Sequence, residues 1–213
     1  MRRPSTAGNA WNRAERQALA QLSTPSAVQA FLDAVPYSAD KFYRCPRRVL
    51  ADRKAHCFDG ALFAAAALRR IGHPPLLLDM GAVRDDDHVI AVFKARGCFG
   101  AVAKSNFVGL RYREPIHRSL RELVMSYFED FFNELGEKTL RSYSTLVDLR
   151  RFDALGWEWS DSAPEDIAAA LDRARHFPLL TRAQERALSM LDERSYRAGT
   201  LGLDPAGLFK VRN

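Results

Sequence analysis

A chain of 213 residues with 47% hydrophobic content and a net charge of +6 is long enough for one sizeable core and too short for two comfortable domains. Its basic residues are dispersed as pairs such as Arg47-Arg48, Arg69-Arg70 and Arg150-Arg151, with no basic stripe interleaved with aromatics, so nucleic acid is a disfavoured partner despite a pI of about 9.5. Cys45, Cys57 and Cys98 are widely spaced and form no CxxC pair, which argues against a disulfide framework or a structural zinc site.

In chain order, Arg2 and Arg3 have no apolar stretch behind them, so neither a signal peptide nor a membrane span is expected and the reading is cytoplasmic. In STPSAVQAFLDAVP, Thr24 can cap a helix, Pro25 suits its first position, and Val28, Phe31, Leu32 and Val35 share one face before Pro36. Residues 37–54 show no clean period and read as an irregular approach. A central helix follows from Cys57 to Ile71; its alanines 64–67 permit close backbone approach, and Gly72 and Pro74 stop it.

Strand-like runs come next at 75–83, 88–94 and 98–104, the last two joined by Ala95, Arg96 and Gly97 as an antiparallel hairpin. The stretch SLRELVMSYFEDFFNELG places Leu120, Leu123, Val124, Tyr127, Phe128, Phe131 and Leu135 at helical spacing and predicts a long core-packing helix. Ser162 with Glu165 and Thr181 with Gln184 have capping-box spacing, predicting helices near 163–175 and 182–194.

The chemistry-bearing residue is Cys57, at the predicted mouth of the central helix. Unpaired N–H groups and the helix dipole at such a position favour a thiolate, so Cys57 is expected to be acidic. A thiol nucleophile needs a proton-carrying partner, and of five histidines His88, opening a strand just after Asp85-Asp86-Asp87, is the one a sheet packed on the cysteine helix can present. His56 would point to another face, and His73, His117 and His176 lie at element ends farther off. Asp59 reads as a stabiliser of the helix dipole. Tyr43 is a candidate for the site entrance. Arg111 and Arg113 could bind a substrate carboxylate but read rather as structural, and Cys45 and Cys98 as inert.

The segment HCFDGALFAAAALRRIGHPPLLLDM, followed by DDDHVIAVF and a hairpin, resembles the transglutaminase-like superfamily in its bacterial type. The resemblance runs from about Tyr37 to Tyr127. It implies an α+β fold with a papain/transglutaminase-like core, the Cys-bearing helix packed on a small antiparallel sheet. Within a single domain, 1–36 would form N-terminal helices, 37–127 the core and 128–213 a helical C-terminal extension.

The resemblance also implies a triad of cysteine, histidine and aspartate, of which Cys57 and His88 match and the aspartate does not. Hairpin pairing sets His88 opposite Lys104 or Ser105, with Asn106 diagonal to it, so Asn106 is the candidate to orient the imidazole, followed by Ser105. The implied activity is acyl transfer through a thioester on a peptide, protein or small amide substrate, with hydrolysis favoured over protein cross-linking. No metal or organic cofactor is required. The alternative is a catalytically degenerate module that binds a peptide or protein partner in the same cleft.

Overall fold

The computed structural model describes residues 11–211, so the expectation that rests on Arg2 and Arg3 lies outside the described residues. Four helices lead into the sheet: α1 (Arg13–Ala20), α2 (Pro25–Asp33), α3 (Pro46–Asp52) and α4 (Cys57–Arg70). Thr24 caps α2 by accepting the Ala27 N–H at 3.1 Å, with Pro25 at the first position. Helix α3 falls inside the segment expected to be irregular. Seven residues opened by Pro46 and closed by left-handed Arg53 are too few to show a hydrophobic period. Helix α4 is buried from Phe58 to Leu68, and its alanines let it lie close against the sheet.

The strands are β1 (Leu76–Ala82), β2 (His88–Ala95), β3 (Cys98–Val102), β4 (Arg113–His117), β5 (Leu140–Ser144), β6 (Val147–Asp148) and β7 (His176–Pro178). They form an antiparallel sheet in the order β4-β3-β2-β1-β5-β7, with β6 also paired to β1. The β2–β3 hairpin closes through two residues, Arg96 and Gly97, both at positive φ, the geometry a two-residue hairpin turn demands. Its ladder runs from Ala95↔Cys98 to Ala91↔Val102 and stops there, so His88 pairs with Met80 on β1 and lies beyond the β3 ladder.

Alternation along β2 divides the core. Val89, Ala91 and Phe93 pack with α2, α4 and Trp157, whereas Ile90 and Val92 pack with Leu110, Tyr127 and Phe131 on the other face. The fold is therefore α+β, with both faces of the sheet covered.

Three expected elements are corrected. The long helix through 119–136 is α5 (Leu120–Met125), then a 3₁₀ turn at Phe128–Asp130 and irregular chain. The apolar residues at helical spacing do enter the second core, but Tyr127 donates to the Arg111 carbonyl at 2.8 Å and Leu135 is left half exposed, so tertiary packing overrides the period. The helix expected over 182–194 is split into α7 (Arg182–Arg186) and α8 (Glu193–Gly199). Residues 128–213 are not simply a helical extension, because besides α6 (Ala163–Asp172) they supply β5, β6 and β7 to the sheet.

Candidate functional site

Cys57 opens α4 as expected, but burial outweighs the helix start, and its neighbour His56 competes for the Phe58 amide that favours a thiolate. His56 is the N-cap: its Nδ1 accepts the Phe58 N–H at 3.1 Å and the Asp59 N–H at 3.5 Å, while the Asp59 carboxylate accepts the His56 N–H at 3.4 Å. Burial and the Arg44 charge push the His56 imidazolium down from 6.5 to about 4, so the ring is the neutral acceptor that this cap requires. The Cys57 Sγ lies 4.0 Å from the Asp87 carbonyl. Burial pushes its thiol up to about 12; the Asp86 and Asp59 charges act in the same sense, and the Val89 and Phe58 amides oppose them. The expectation of an acidic Cys57 is thereby corrected. A helix N-terminus depresses a thiol only where its N–H groups and solvent remain available to the sulfur.

Asp59 does more than complement the dipole. Fully buried, it accepts the Arg44 N–H at 2.8 Å, and the Arg44 guanidinium stands 3.6 Å away while also holding Asp40, Asp52 and Ser38. Burial nevertheless pushes the Asp59 carboxyl up to about 6, against the pull of Arg44 and the His56 amide.

His88 is buried at the start of β2. Its Nε2 lies 2.9 Å from the Leu110 carbonyl and its ring meets Phe131 edge-on at 6.3 Å between centroids. Burial and the Arg113 charge push the imidazolium down to about 4, with the Leu110 carbonyl opposing. A neutral ring facing a carbonyl through Nε2 must carry its proton there, which leaves Nδ1 with a free lone pair. Cys57, His88, Ser105 and Asn106 all border one small cavity of about 40 Å³.

Asn106 does not orient His88. Its side chain makes two hydrogen bonds to Asp204, donating to the carbonyl at 2.9 Å and accepting the N–H at 2.8 Å. Ser105 Oγ accepts the Phe107 N–H at 3.0 Å, and Lys104 Nζ donates to the Leu32 and Val35 carbonyls at the end of α2. The group on the imidazole is instead the Leu110 main chain, which carries no side-chain signature that a sequence could display.

On the other side of Cys57 opens a cleft of about 400 Å³. Tyr37, Tyr43 and Phe58 supply an aromatic wall, and Asp79, Asp86 and Asp87 an acidic one. Tyr43 packs edge-on to Phe58 at 4.9 Å. Asp79 shares the α4 face of the sheet and pairs with His176 Nε2 at 3.0 Å across β5. Burial and the Asp87 charge push its carboxyl up to about 6, with His176 opposing. This pair was missed because His176 lies nearly a hundred residues downstream of Asp79; only the β1-β5-β7 order brings the two together.

The C-terminal segment crosses the site. Beyond the clamp of Asn106 on Asp204, Gly207 borders both the cleft and the small cavity, Leu208 lines the first and Phe209 the second. A Cβ on Gly207 would stand 2.6 Å from the Tyr37 ring, so only glycine permits this approach. Glu134 holds the end, accepting from Lys210 Nζ and from the Val211 N–H, each at 3.0 Å.

The remaining candidates are structural. Arg111 pairs with Asp33 at 3.2 Å, and Arg113 binds Ser126, the Gly109 carbonyl and Asp130 while lying over Tyr127. Cys45 is buried, its thiol pushed up to about 12 by that burial, and Cys98 is partly exposed on β3. Among the described residues no group of three or more His, Cys, Asp or Glu side chains is placed to hold a metal ion, and no helix is long and apolar enough to cross a membrane. Comparison with protein-family models gives no match, and neither does comparison with curated proteins.

Proposed function

We propose that the chain is a cysteine-dependent acyl-transfer enzyme with a papain/transglutaminase-like site, Cys57 being the nucleophile and His88 its base. The observation that carries this reading is the fixed tautomer of His88. The Leu110 carbonyl holds the proton on Nε2 and leaves Nδ1 unprotonated, and His88 borders the small cavity that Cys57 also borders. In this role the Leu110 main chain does what an asparagine or aspartate side chain does in such triads.

With a protonated thiol and a neutral imidazole on the same small cavity, the proton must leave as the S–C bond forms. Sγ attacks an amide or ester carbonyl while Nδ1 takes the thiol proton, and the Cys57 main-chain N–H, which His56 does not cap and which faces the Tyr37 oxygen, is the donor offered to the oxyanion. The leaving amine takes the proton back from Nδ1 as the tetrahedral intermediate collapses to a thioester. Water, activated by the same Nδ1, then releases the acid; an amine in its place gives transamidation. Hydrolysis is the favoured outcome, and no cofactor enters any step. The acidic wall favours substrates that carry an amine or guanidinium next to the acyl group.

The test is turnover of fluorogenic amides of lysine, arginine and glutamate, with Cys57→Ala and His88→Ala as controls. Each substitution should lower turnover by about a thousandfold or more, and the basic amides should be preferred. Equal residual turnover in both variants and in the wild type would overturn the reading. The raised thiol pKa favours one second reading, a degenerate module that binds peptides in the same cleft. In that case Cys57→Ala binds a basic peptide as well as the wild type does and none of the three proteins turns it over.

A further inference from the structure

The segment from Asp204 to Val211 is fastened at both ends by groups that have no part in the acyl-transfer scheme, and between them it borders both cavities that Cys57 lines. Asn106 holds the first residue by both amide atoms, Glu134 holds the last two, and Gly207 rests on the Tyr37 ring at the border of both cavities that Cys57 lines. Among the described residues the fastening is polar and mostly near the surface, carried by the side chains of Asn106, Glu134 and Lys210. Such a contact opens at far lower free energy than α4 or the central strands do.

We propose that residues 204–211 are a releasable strap that gates access to Cys57, latched by Asn106 and Glu134. In the latched state the strap narrows the approach to the sulfur. Release widens it and joins the small cavity beside His88 to the larger cleft. The inference rests on the reading of Cys57 as the reacting group, yet its test reads cover over the thiol and needs no substrate.

The experiment is the rate of iodoacetamide alkylation at each cysteine of the full-length chain, resolved by peptide mass mapping, with Cys98, half-buried like Cys57, as one internal reference and buried Cys45 as the other. Asn106→Ala combined with Glu134→Ala should raise the rate at Cys57 by about tenfold or more, the shift expected when a closed–open equilibrium loses its latching hydrogen bonds. Cys98 and Cys45 should keep their rates. Gly207→Ala, whose added methyl would stand 2.6 Å from the Tyr37 ring and 3.2 Å from the Asn106 amide nitrogen, should act in the same direction. Hydrogen exchange of 204–211 should quicken in both variants while that of Ala61–Leu68 stays slow.

An unchanged rate at Cys57 in both variants overturns the strap, and so does a rise at Cys57 matched by a rise at Cys45, which reports loosening of the whole core. If Cys57 becomes fast and no amide is turned over, the strap stands and the enzyme reading falls. If amides are turned over at the same rate in the wild type and both variants, the enzyme reading stands and the gate falls.

Discussion

Two of the histidines at the site, His56 and His88, are held neutral by burial, and this governs how pH should act. With His88 at about 4 and the Cys57 thiol at about 12, the reacting form is present across the whole range between. The acid limb of kcat/KM should therefore fall near pH 4, well below an ordinary histidine, and turnover should stay flat through neutrality. A limb near pH 6.5, measured on any amide the protein accepts, would assign the base to another group. His56 makes a separate prediction, on stability. Its folded pKa lies below its ordinary 6.5, so the unfolded state binds the extra proton first, and the folded state loses ground as pH falls from about 6.5 to about 4. His56→Asn keeps a side-chain acceptor at the cap without that titration. Its melting temperature relative to the wild type should rise steadily as pH is lowered through this window.

At the scale of elements, the entry to α4 depends on one buried cation. Arg44 joins Asp40, Asp52 and fully buried Asp59 and thereby ties the chain before α3 to the first turn of α4. Arg44→Leu leaves the Asp59 carboxylate uncompensated and should cost about 3–5 kcal/mol near neutral pH. Asp59 already sits at about 6, and without the cation it protonates more readily still, so the cost should shrink toward pH 5; urea unfolding at the two pH values checks this. Elements with their own local signals were legible in the sequence: α2 through Thr24 and Pro25, α4 through its alanines and Gly72, and the hairpin through Arg96-Gly97. The aromatic run after Met125 was misread because its residues earn burial from the sheet above them and not from a helix of their own. Strand β4, REPIH, carries a proline and alternating charge at the sheet edge and offers no apolar run to detect.

For the whole molecule, the site mixes what is local with what is not. Cys57 and His88 lie within one stretch of 32 residues and border one small cavity; Leu110, Asp79 with His176, and the Asn106–Asp204 clamp depend on chain topology. The same topology bears on how much chain the core needs. Strand β5 is the neighbour of β1 through Met80↔Tyr143 and Gly81↔Ser142, and the Asp79 N–H donates to Ser144 Oγ at 2.9 Å. Leu140 and Leu179 are buried in the second core with Leu78 and Met80, and Trp157, Ile167 and Leu171 in the first with α4. Residues 37–127 alone would expose the β1 edge and one side of each core. At about 25 cal/mol for each Å² of apolar surface left in water, a handful of such side chains outweighs the 5–15 kcal/mol by which a domain is stable. The isolated 37–127 fragment should therefore lack dispersed amide resonances and a cooperative thermal transition, whereas 11–211 should show both. A fragment that melts cooperatively would mean that the resemblance-based core is self-sufficient and that β5 and β7 are additions to it. Mixing 37–127 with 128–213 should then decide between the two, since only a core shared across residue 128 regains its transition when the pieces meet.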